Sequence, residues 1–366
     1  MRPITELGAA VVGTGFIGVV HVEALRRLGV HVHGVVGSSH ERAAARSREL
    51  GLPPAYESFQ AMLDDARVDV VHITSPNHLH HDQAMAALQA GKHVVCEKPL
   101  TTTPVESADL LAAAERSGLV HAVNFNLRYY PVNQHARGLV AEGALGEIRL
   151  ATGRYLQDWL LLDTDWNWRL EPELGGALRT VGDIGSHWMD MTTFLTGKRI
   201  ESVMADLATF IKTRRGREIT TEDAATILLR YEGGARGAFA VSQVSAGRKN
   251  SFQYEIGGSV SSVAWDQERP NELWIGHRGR PNELLLRDPV IMNELGRKAT
   301  YLPGGHAEGF ADTFKALYAA VYGAVAAGGP RPREGYPTFA DGHDSMLACK
   351  AVLRSSREGR WVEVER

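Results

Sequence analysis

Asp183, His187 and Asp190 fall in the stretch GGALRTVGDIGSHWMD (residues 175–190), an imidazole between two carboxylates just behind a run of glycines. At about 100° per residue of α-helix the three lie within roughly 60° of one another. A second stripe, Ile184, Trp188, Met191 and Leu195, runs beside them. Three readings fit such a face. An imidazole with an ordinary pKa near 6.5 can serve as base and acid close to neutrality. The same His with two carboxylates supplies part of a metal set. A helix packed on its apolar stripe also leaves such residues at a wet edge. No third strong ligand follows at a telling spacing, so no metal is expected. Asp190 reads as a structural hydrogen-bonding residue.

VVGTGFIGVVHVEAL (11–25) carries Gly13-x-Gly15-x-x-Gly18 directly after a strand pattern and at the mouth of a helix pattern. In a βαβ context this spacing suits a dinucleotide. The first glycine allows the tight turn, the second lets backbone approach a pyrophosphate, and the third lets helix pack on strand. Phe16 and Ile17 share that turn, where the helix N-terminus receives negative charge. The next strand ends in VVGSSHERA, with no carboxylate at its tip to hold a ribose 2′-hydroxyl. Ser38, Ser39 and Arg42 suit a 2′-phosphate instead, so NADP is expected over NAD. Ser39 serves equally as a helix cap, and Glu41 is read as pointing into the helix.

Glu97-Lys98-Pro99 ends a fourth strand pattern, at the carboxyl edge where open α/β sheets bind ligands. A Lys there belongs beside a nicotinamide ribose and a substrate hydroxyl; whether Pro99 is cis is not fixed by sequence. Ser75-Pro76-Asn77 follows the third strand pattern. His78, His80 and His81 after it resemble a metal cluster by composition, but their place at a helix start makes His80 the one expected to face the cofactor. Asn126, Trp168 and Arg169 complete the candidate cofactor contacts. GRYLQDWLLLDTDWNWRL (153–170) concentrates aromatic and polar groups, as a carbohydrate site requires: rings cover the apolar face of a sugar while amides and acids take its hydroxyls. Tyr155, Gln157 and Asp158 are the candidates, alongside Trp159 and Trp166, with Arg128 and His306 as further pocket residues.

The elements that must position these groups follow from periodicity. Strand patterns at 8–13, 30–36, 68–74, 92–97 and 119–125 alternate with helix patterns at 17–28, 40–50, 78–90 and 104–117, which predicts a parallel sheet covered on both faces. Beyond residue 128 come a helix pattern at 132–142, a strand at 147–157 and the helix of the Asp-His stretch. Strands at 200–211, 224–231, 235–245, 252–257 and 260–266 then predict a largely antiparallel sheet. Segment 266–304 reads as loop-rich, and helix patterns at 308–327 and 338–357 precede a short strand in RWVEVE.

With 366 residues the chain is long enough for two domains with separate cores. A net charge of −3 offers no attraction for nucleic acid or anionic membrane. No apolar run approaches the roughly 20 residues of a spanning helix. The run 7–20 is broken by glycines and is read as mature structure. Two cysteines without a CxxC pair suit a reducing cytoplasm.

GTGFIG, ITSPNHLHHDQAMAALQAGKHVVCEKPL, GGALRTVGDIGSHWMD and GGHAEGFADTF together resemble the Gfo/Idh/MocA oxidoreductases, the family of glucose–fructose oxidoreductase and inositol dehydrogenase, over essentially the whole length. The resemblance implies an α/β architecture: a Rossmann domain (1–128), then an α+β domain (129–366) with a large, open, mainly antiparallel sheet used for substrate binding and often for oligomerisation. It implies hydride exchange between nicotinamide and a secondary hydroxyl or ketone of a sugar, anhydrosugar or polyol. Lys98, Asp183 and His187 take the positions of the family's catalytic residues. In that chemistry His187 is the base, Lys98 stabilises the alkoxide, and Asp183 orients the imidazole or binds a substrate hydroxyl. Lys98, Asp183 and His187 thus count among the substrate contacts too. A cytoplasmic homo-oligomer, dimer or tetramer, is implied. Gly175-Gly176-Ala177 departs from the family's triple glycine. Two other activities fit: glycoside cleavage by oxidation and elimination with the hydride returned, and dinucleotide sensing without turnover, in which relatives tend to lose the three residues retained here.

Overall fold

The computed structural model describes residues 2–330 and 335–366. Two compact units divide the chain: Met1–Asn126 with Ala311–His343, and Leu127–Phe310 with Asp344–Arg366. The chain therefore passes from one unit to the other at three points, where the sequence suggested a single break at 128/129.

In the first unit β1 (Gly8–Val12), α1 (Phe16–Arg27), β2 (His31–Val36), α2 (His40–Leu50), α3 (Phe59–Leu63), β3 (Val70–Ile73), α4 (His80–Gln89), β4 (His93–Cys96), α5 (Pro104–Ser117) and β5 (His121–Val123) follow in turn. The strands form a parallel sheet in the order β2-β1-β3-β4-β5. Buried on both faces, they are apolar almost throughout, as in β1 with Ala9, Ala10 and Val11 fully buried. Helix starts are set locally. Thr103 and Glu106 close a capping box ahead of α5, with Pro104 in its first turn and Gly118 left-handed behind it.

The second unit holds α6 (Pro131–Ala141), β6 (Ile148–Leu156), α7 (Pro172–Gly175), a π-turn (Val181–Gly185), α8 (Ser186–Thr196) and β7 (Ile200–Ala208). A small hairpin, β8 (Thr213–Arg214) and β9 (Arg217–Glu218), precedes β10 (Ala224–Tyr231), β11 (Arg236–Ser242), β12 (Ser251–Gly258), β13 (Ser261–Asp266), β14 (Glu272–His277), β15 (Glu283–Leu286) and α9 (Glu294–Lys298). The chain then returns to the first unit for α10 (Phe310–Ala326) and the start of α11 (Phe339–Glu358), and the rest of α11 and β16 (Val362–Glu363) belong to the second. The large sheet runs β15-β14-β13-β12-β6-β11-β10-β7-β16 and is antiparallel except for β11 beside β6. Alternation along β10 buries Ala225, Ile227, Leu229 and Tyr231 and leaves Leu228 outward, so one face carries the core. Trp188 of α8 is fully buried there, stacked on Phe239 at 4.2 Å, and its indole N–H donates to the Gln253 carbonyl at 3.0 Å. Gly153 is required on β6 because a Cβ would press into that indole, 2.6 Å from its nitrogen.

The segment read as loop-rich contains β14, β15 and α9; their strands are short and interrupted by Gly, Pro and Asn, which hides the alternation. Among the described residues no helix is long and apolar enough to cross a membrane.

Candidate active site

The turn between β1 and α1 assigns each glycine a different task. Gly13 has φ +113°, and a Cβ on it would meet the Thr74 backbone. A Cβ on Gly18 would fall inside contact distance of the Gly13 carbonyl and 3.0 Å from Thr74 Oγ1. Gly15 is different. Its φ of −74° suits any residue, and a Cβ there would meet nothing within 4 Å. No protein contact requires glycine at 15, so the space in front of it is a cradle. Among the described residues no side chain caps α1, whose first amides carry partial positive charge. Backbone access plus an uncapped helix N-terminus fits the diphosphate of a dinucleotide. Phe16, 74% exposed, stands at the rim of that turn.

At the tip of β2, Ser39 caps α2 by accepting from the Arg42 amide (3.3 Å), and Arg42 Nη1 reaches Ser38 Oγ at 3.5 Å. All three are exposed. Arg46, one turn further along α2 and overlooked in the sequence, donates from Nε to the Thr14 carbonyl (3.1 Å) in the glycine turn.

One cofactor candidate, His80, is corrected, and another, Asn126, has a protein partner. His80 is fully buried, and its ring nitrogens lie 2.9 Å from the carbonyl oxygens of Pro99 and Ser75, so it ties two strand-end loops together instead of facing a ligand. Asn126 is buried and gives its amide to Thr313 Oγ1 at 2.8 Å. Ser75 donates to Gln83 (2.6 Å), Pro76 and Asn77 follow it, and Asn77 is buried. His81 sits between Asp82 and Asp109 at 2.8 and 3.0 Å; burial opposes its charge, but the two carboxylates outweigh it and raise its pKa. Among the described residues no group of three His, Cys, Asp or Glu side chains is placed to hold a metal ion.

Glu97 directly follows β4 and Lys98 comes next, half-buried, with a cis peptide to Pro99. Glu97 Oε2 accepts the Lys98 amide at 3.1 Å, and Oε1 takes Asn124 and His21. Burial pushes this carboxyl up, but His21, Lys98 and Asn124 outweigh it and hold it below the usual range.

In the second unit Asp183 and His187 are placed by the π-turn that runs into α8. That turn breaks the 100° spacing, so Asp183 does not share an ideal α-helical face with His187 and Asp190. Buried Glu222 grips the turn's entrance, accepting the amides of Arg179 (3.1 Å) and Val181 (2.8 Å). Asp183 Oδ1 takes Arg169 Nε at 3.2 Å and Oδ2 takes Gln243 Nε2 at 2.8 Å. Gln243, from the end of β11, is fully buried and was not singled out in the sequence; at 60 residues' separation nothing local marks it.

His187, 7% exposed, has the Tyr155 ring 6.3 Å away. Tyr155 donates to Asn250 Oδ1 at 2.8 Å, Gln157 donates to the same oxygen at 2.7 Å, and Trp159 Nε1 donates to Gln157 Oε1 at 2.7 Å. Burial and then the Asp183 charge push the Tyr155 hydroxyl well above its ordinary pKa, keeping it a donor. From Tyr155, the ring beside His187, hydrogen bonds thus run through Asn250 and Gln157 to Trp159.

Other candidates take different places. Arg128 is a correction: its guanidinium is buried and bidentate on Asp190, with Nε–Oδ2 at 2.9 Å, and lies over Phe194, so it serves packing rather than substrate. Asp190 is accordingly structural. Asp158 faces Lys249 (2.7 Å) and the Gly247 amide (3.1 Å), a surface pair across a loop, and not an open pocket. Arg169 lies on the Trp168 ring at 4.4 Å while it holds Asp183, so this structure gives it to the carboxylate. Trp166 packs in a small cluster of Leu160, Leu170 and Ile219 under Arg217. His306 is exposed in a loop whose carbonyls are held by Arg287.

A parallel sheet with a dinucleotide cradle, a lysine at the tip of β4, and an Asp-His pair in the following unit define an NAD(P)-dependent oxidoreductase. The chain belongs to the Gfo/Idh/MocA oxidoreductases: residues 7–125 match that oxidoreductase family with its NAD-binding Rossmann fold, and residues 133–264 match the GFO/IDH/MocA C-terminal domain. It is 30% identical to levoglucosan dehydrogenase of Pseudarthrobacter phenanthrenivorans, over 98% of each chain. A structure of levoglucosan dehydrogenase in complex with NADH and levoglucosan superposes with a TM-score of 0.92 at 29% identity, covering 98% of this chain and 100% of that one. An inositol dehydrogenase homolog from Azotobacter vinelandii, complexed with NADH and myo-inositol, gives 0.88 at 26% identity, covering 98% and 97%.

Proposed function

We propose that the enzyme exchanges a hydride between a nicotinamide cofactor and a secondary hydroxyl or ketone of a sugar, anhydrosugar or polyol. The observation that carries this reading is buried His187 beside the Tyr155 ring, from which hydrogen bonds run through Asn250 and Gln157 to Trp159, with Asp183 clamped between Arg169 and Gln243. His187 takes the hydroxyl proton when the alcohol is oxidised and returns it when the ketone is reduced. Lys98 supplies the ammonium that stabilises the developing alkoxide. Asp183, its two oxygens fixed, presents charge for orienting the imidazole or a neighbouring hydroxyl. Gly13, Gly15, Gly18 and the first turn of α1 hold the diphosphate. The nicotinamide, when bound, is the hydride acceptor or donor.

Ser38, Ser39 and Arg42 favour NADP over NAD, because two hydroxyls and a guanidinium stand where a carboxylate would hold a free 2′-hydroxyl. The buried thiols of Cys96 and Cys349 support a reducing, cytoplasmic setting. Leu150, Leu228, Leu284 and Leu286 are exposed on strands of the large sheet, which supports a homo-oligomer.

The test is the purified protein with NAD⁺ or NADP⁺ and a panel of pyranoses, anhydrosugars and inositols, following reduced nicotinamide with His187→Ala alongside. Turnover that collapses in the variant supports the reading, and kcat/KM for the two cofactors ranks them. Release of phenol from aryl glycosides without net reduced cofactor would replace it with oxidative elimination. Tight dinucleotide binding with neither product would leave a sensor.

A further inference from the structure

Four titratable side chains stand in series inside the first unit: His21 of α1, His72 of β3, Glu97 just after β4 and Tyr322 of α10. His21 Nε2 lies 3.1 Å from Glu97 Oε1, His21 Nδ1 lies 3.0 Å from His72 Nδ1, and His72 Nε2 lies 2.9 Å from the Tyr322 hydroxyl. The two imidazoles and Tyr322 are fully buried, walled by the rings of Phe314 and Tyr318. The reaction described above uses none of these three.

A nitrogen-to-nitrogen hydrogen bond holds one proton, and this fixes the rest of the series. If Tyr322 donates to His72 Nε2, the His72 proton sits on Nδ1 and goes to His21 Nδ1. The His21 proton then sits on Nε2 and goes to Glu97, so every proton has an acceptor. The reverse order would require either an imidazolium at His21 or a proton on Glu97, whose carboxyl is held below its usual range. It would also leave the Tyr322 O–H without an acceptor among the described residues, in a dry interior where that is costly. Burial favours the first order: it pushes the Tyr322 hydroxyl well above its ordinary pKa and holds the His72 imidazole well below its own.

We infer that His21, His72 and Tyr322 are positioning residues for Lys98: the one-way chain Tyr322 to His72 to His21 to Glu97 fixes the carboxylate whose other oxygen accepts the Lys98 amide. The inference rests on the assignment of Lys98 to the reaction. A hydroxyl more than 200 residues downstream thereby sets the lysine turn at the tip of β4. The groups facing Glu97 are His21 from α1, Asn124 beyond β5, Tyr318 from α10, and its neighbours Cys96 and Lys98.

The test begins with ¹⁵N spectra of the full-length protein labelled in histidine, where coupling across the Nδ1···Nδ1 hydrogen bond identifies the pair. Two neutral rings are expected, His21 protonated at Nε2 and His72 at Nδ1. An imidazolium at His21, or a proton on its Nδ1, overturns the chain. Tyr322→Phe then removes only a hydroxyl. Loss of one neutral hydrogen bond predicts a drop in kcat of about threefold to tenfold with cofactor KM unchanged. The acid limb of the pH profile should move to higher pH, because Glu97 loses support for its charged form. A purely structural loss would scale the profile without moving it, and that result, or wild-type kcat, overturns the inference. Full activity in Lys98→Met would instead overturn the assignment of Lys98, while the spectra still report on the chain.

Discussion

Gly15→Ala separates the part of the glycine turn that serves the fold from the part that serves a ligand. The backbone at 15 has φ −74° and ψ −174°, which alanine adopts freely, and the new methyl would touch no protein atom. Replacing glycine at a compatible position narrows the unfolded ensemble and stabilises by about 0.4–1 kcal/mol. The methyl would stand where the diphosphate approaches, and overfilling a close-fitted contact costs about 1–3 kcal/mol. That cost corresponds to a dinucleotide Kd weakened roughly fivefold to a hundredfold. Gly18→Ala is the counterpart: its methyl collides with the Gly13 carbonyl and Thr74, so stability should fall by about 1–3 kcal/mol. Fluorescence titration with NADPH and NADH, paired with thermal melts, reads both quantities. The expected pattern is Gly15→Ala with equal or higher Tm and weak binding, and Gly18→Ala with lower Tm. Wild-type affinity in Gly15→Ala, or a Tm loss as large as that of Gly18→Ala, would refute the division.

Gln243→Leu removes a donor from a charged acceptor, an interaction of about 1.5–3 kcal/mol, so kcat should fall roughly tenfold to a hundredfold through Asp183; a change in Tm alone would count against a role in catalysis. Asp190→Leu strands the buried Arg128 charge and should cost about 3–5 kcal/mol in urea melts, with substrate KM unchanged in whatever protein remains folded. A KM that rises with stability intact would restore Arg128 to the substrate pocket. Burial pushes the His121 imidazole down to about 4, so between pH 6.5 and 4 the unfolded chain binds a proton that the folded chain refuses. Stability should therefore fall as pH drops through that window, by up to about 3 kcal/mol, and level off below it. His121→Asn should flatten this slope in a pH series of urea melts; superposable slopes would sink the assignment.

Local chemistry carried much of what the sequence disclosed. The glycine turn, the Ser39 cap of α2 and the strand-helix alternation before residue 128 each depend on residues a few positions apart, so spacing alone exposes them. The π-turn at 181–185 was hidden because its residues look α-helical one by one; the constraint comes from Glu222, some 40 residues on. His80 misled for a similar reason. A histidine after a strand tip reads as a ligand contact until the Pro99 carbonyl, brought round by another strand, claims a ring nitrogen. Arg128 and Gln243 found their partners across 60 residues or more, where periodicity carries no information.

The return of residues 311–343 to the first unit bears on how the protein is born. During synthesis the five-stranded sheet emerges long before α10, so His21 and His72 wait without Tyr322, Tyr318 and Phe314 while the whole large sheet is being made. The nucleotide-binding half is first in the gene order of its strands but among the last to be sealed. An N-terminal domain finished as it leaves the ribosome would here lack the cover that the rings of α10 give His21 and His72. A fragment ending at residue 126 would present two buried histidines and an uncovered apolar face to solvent.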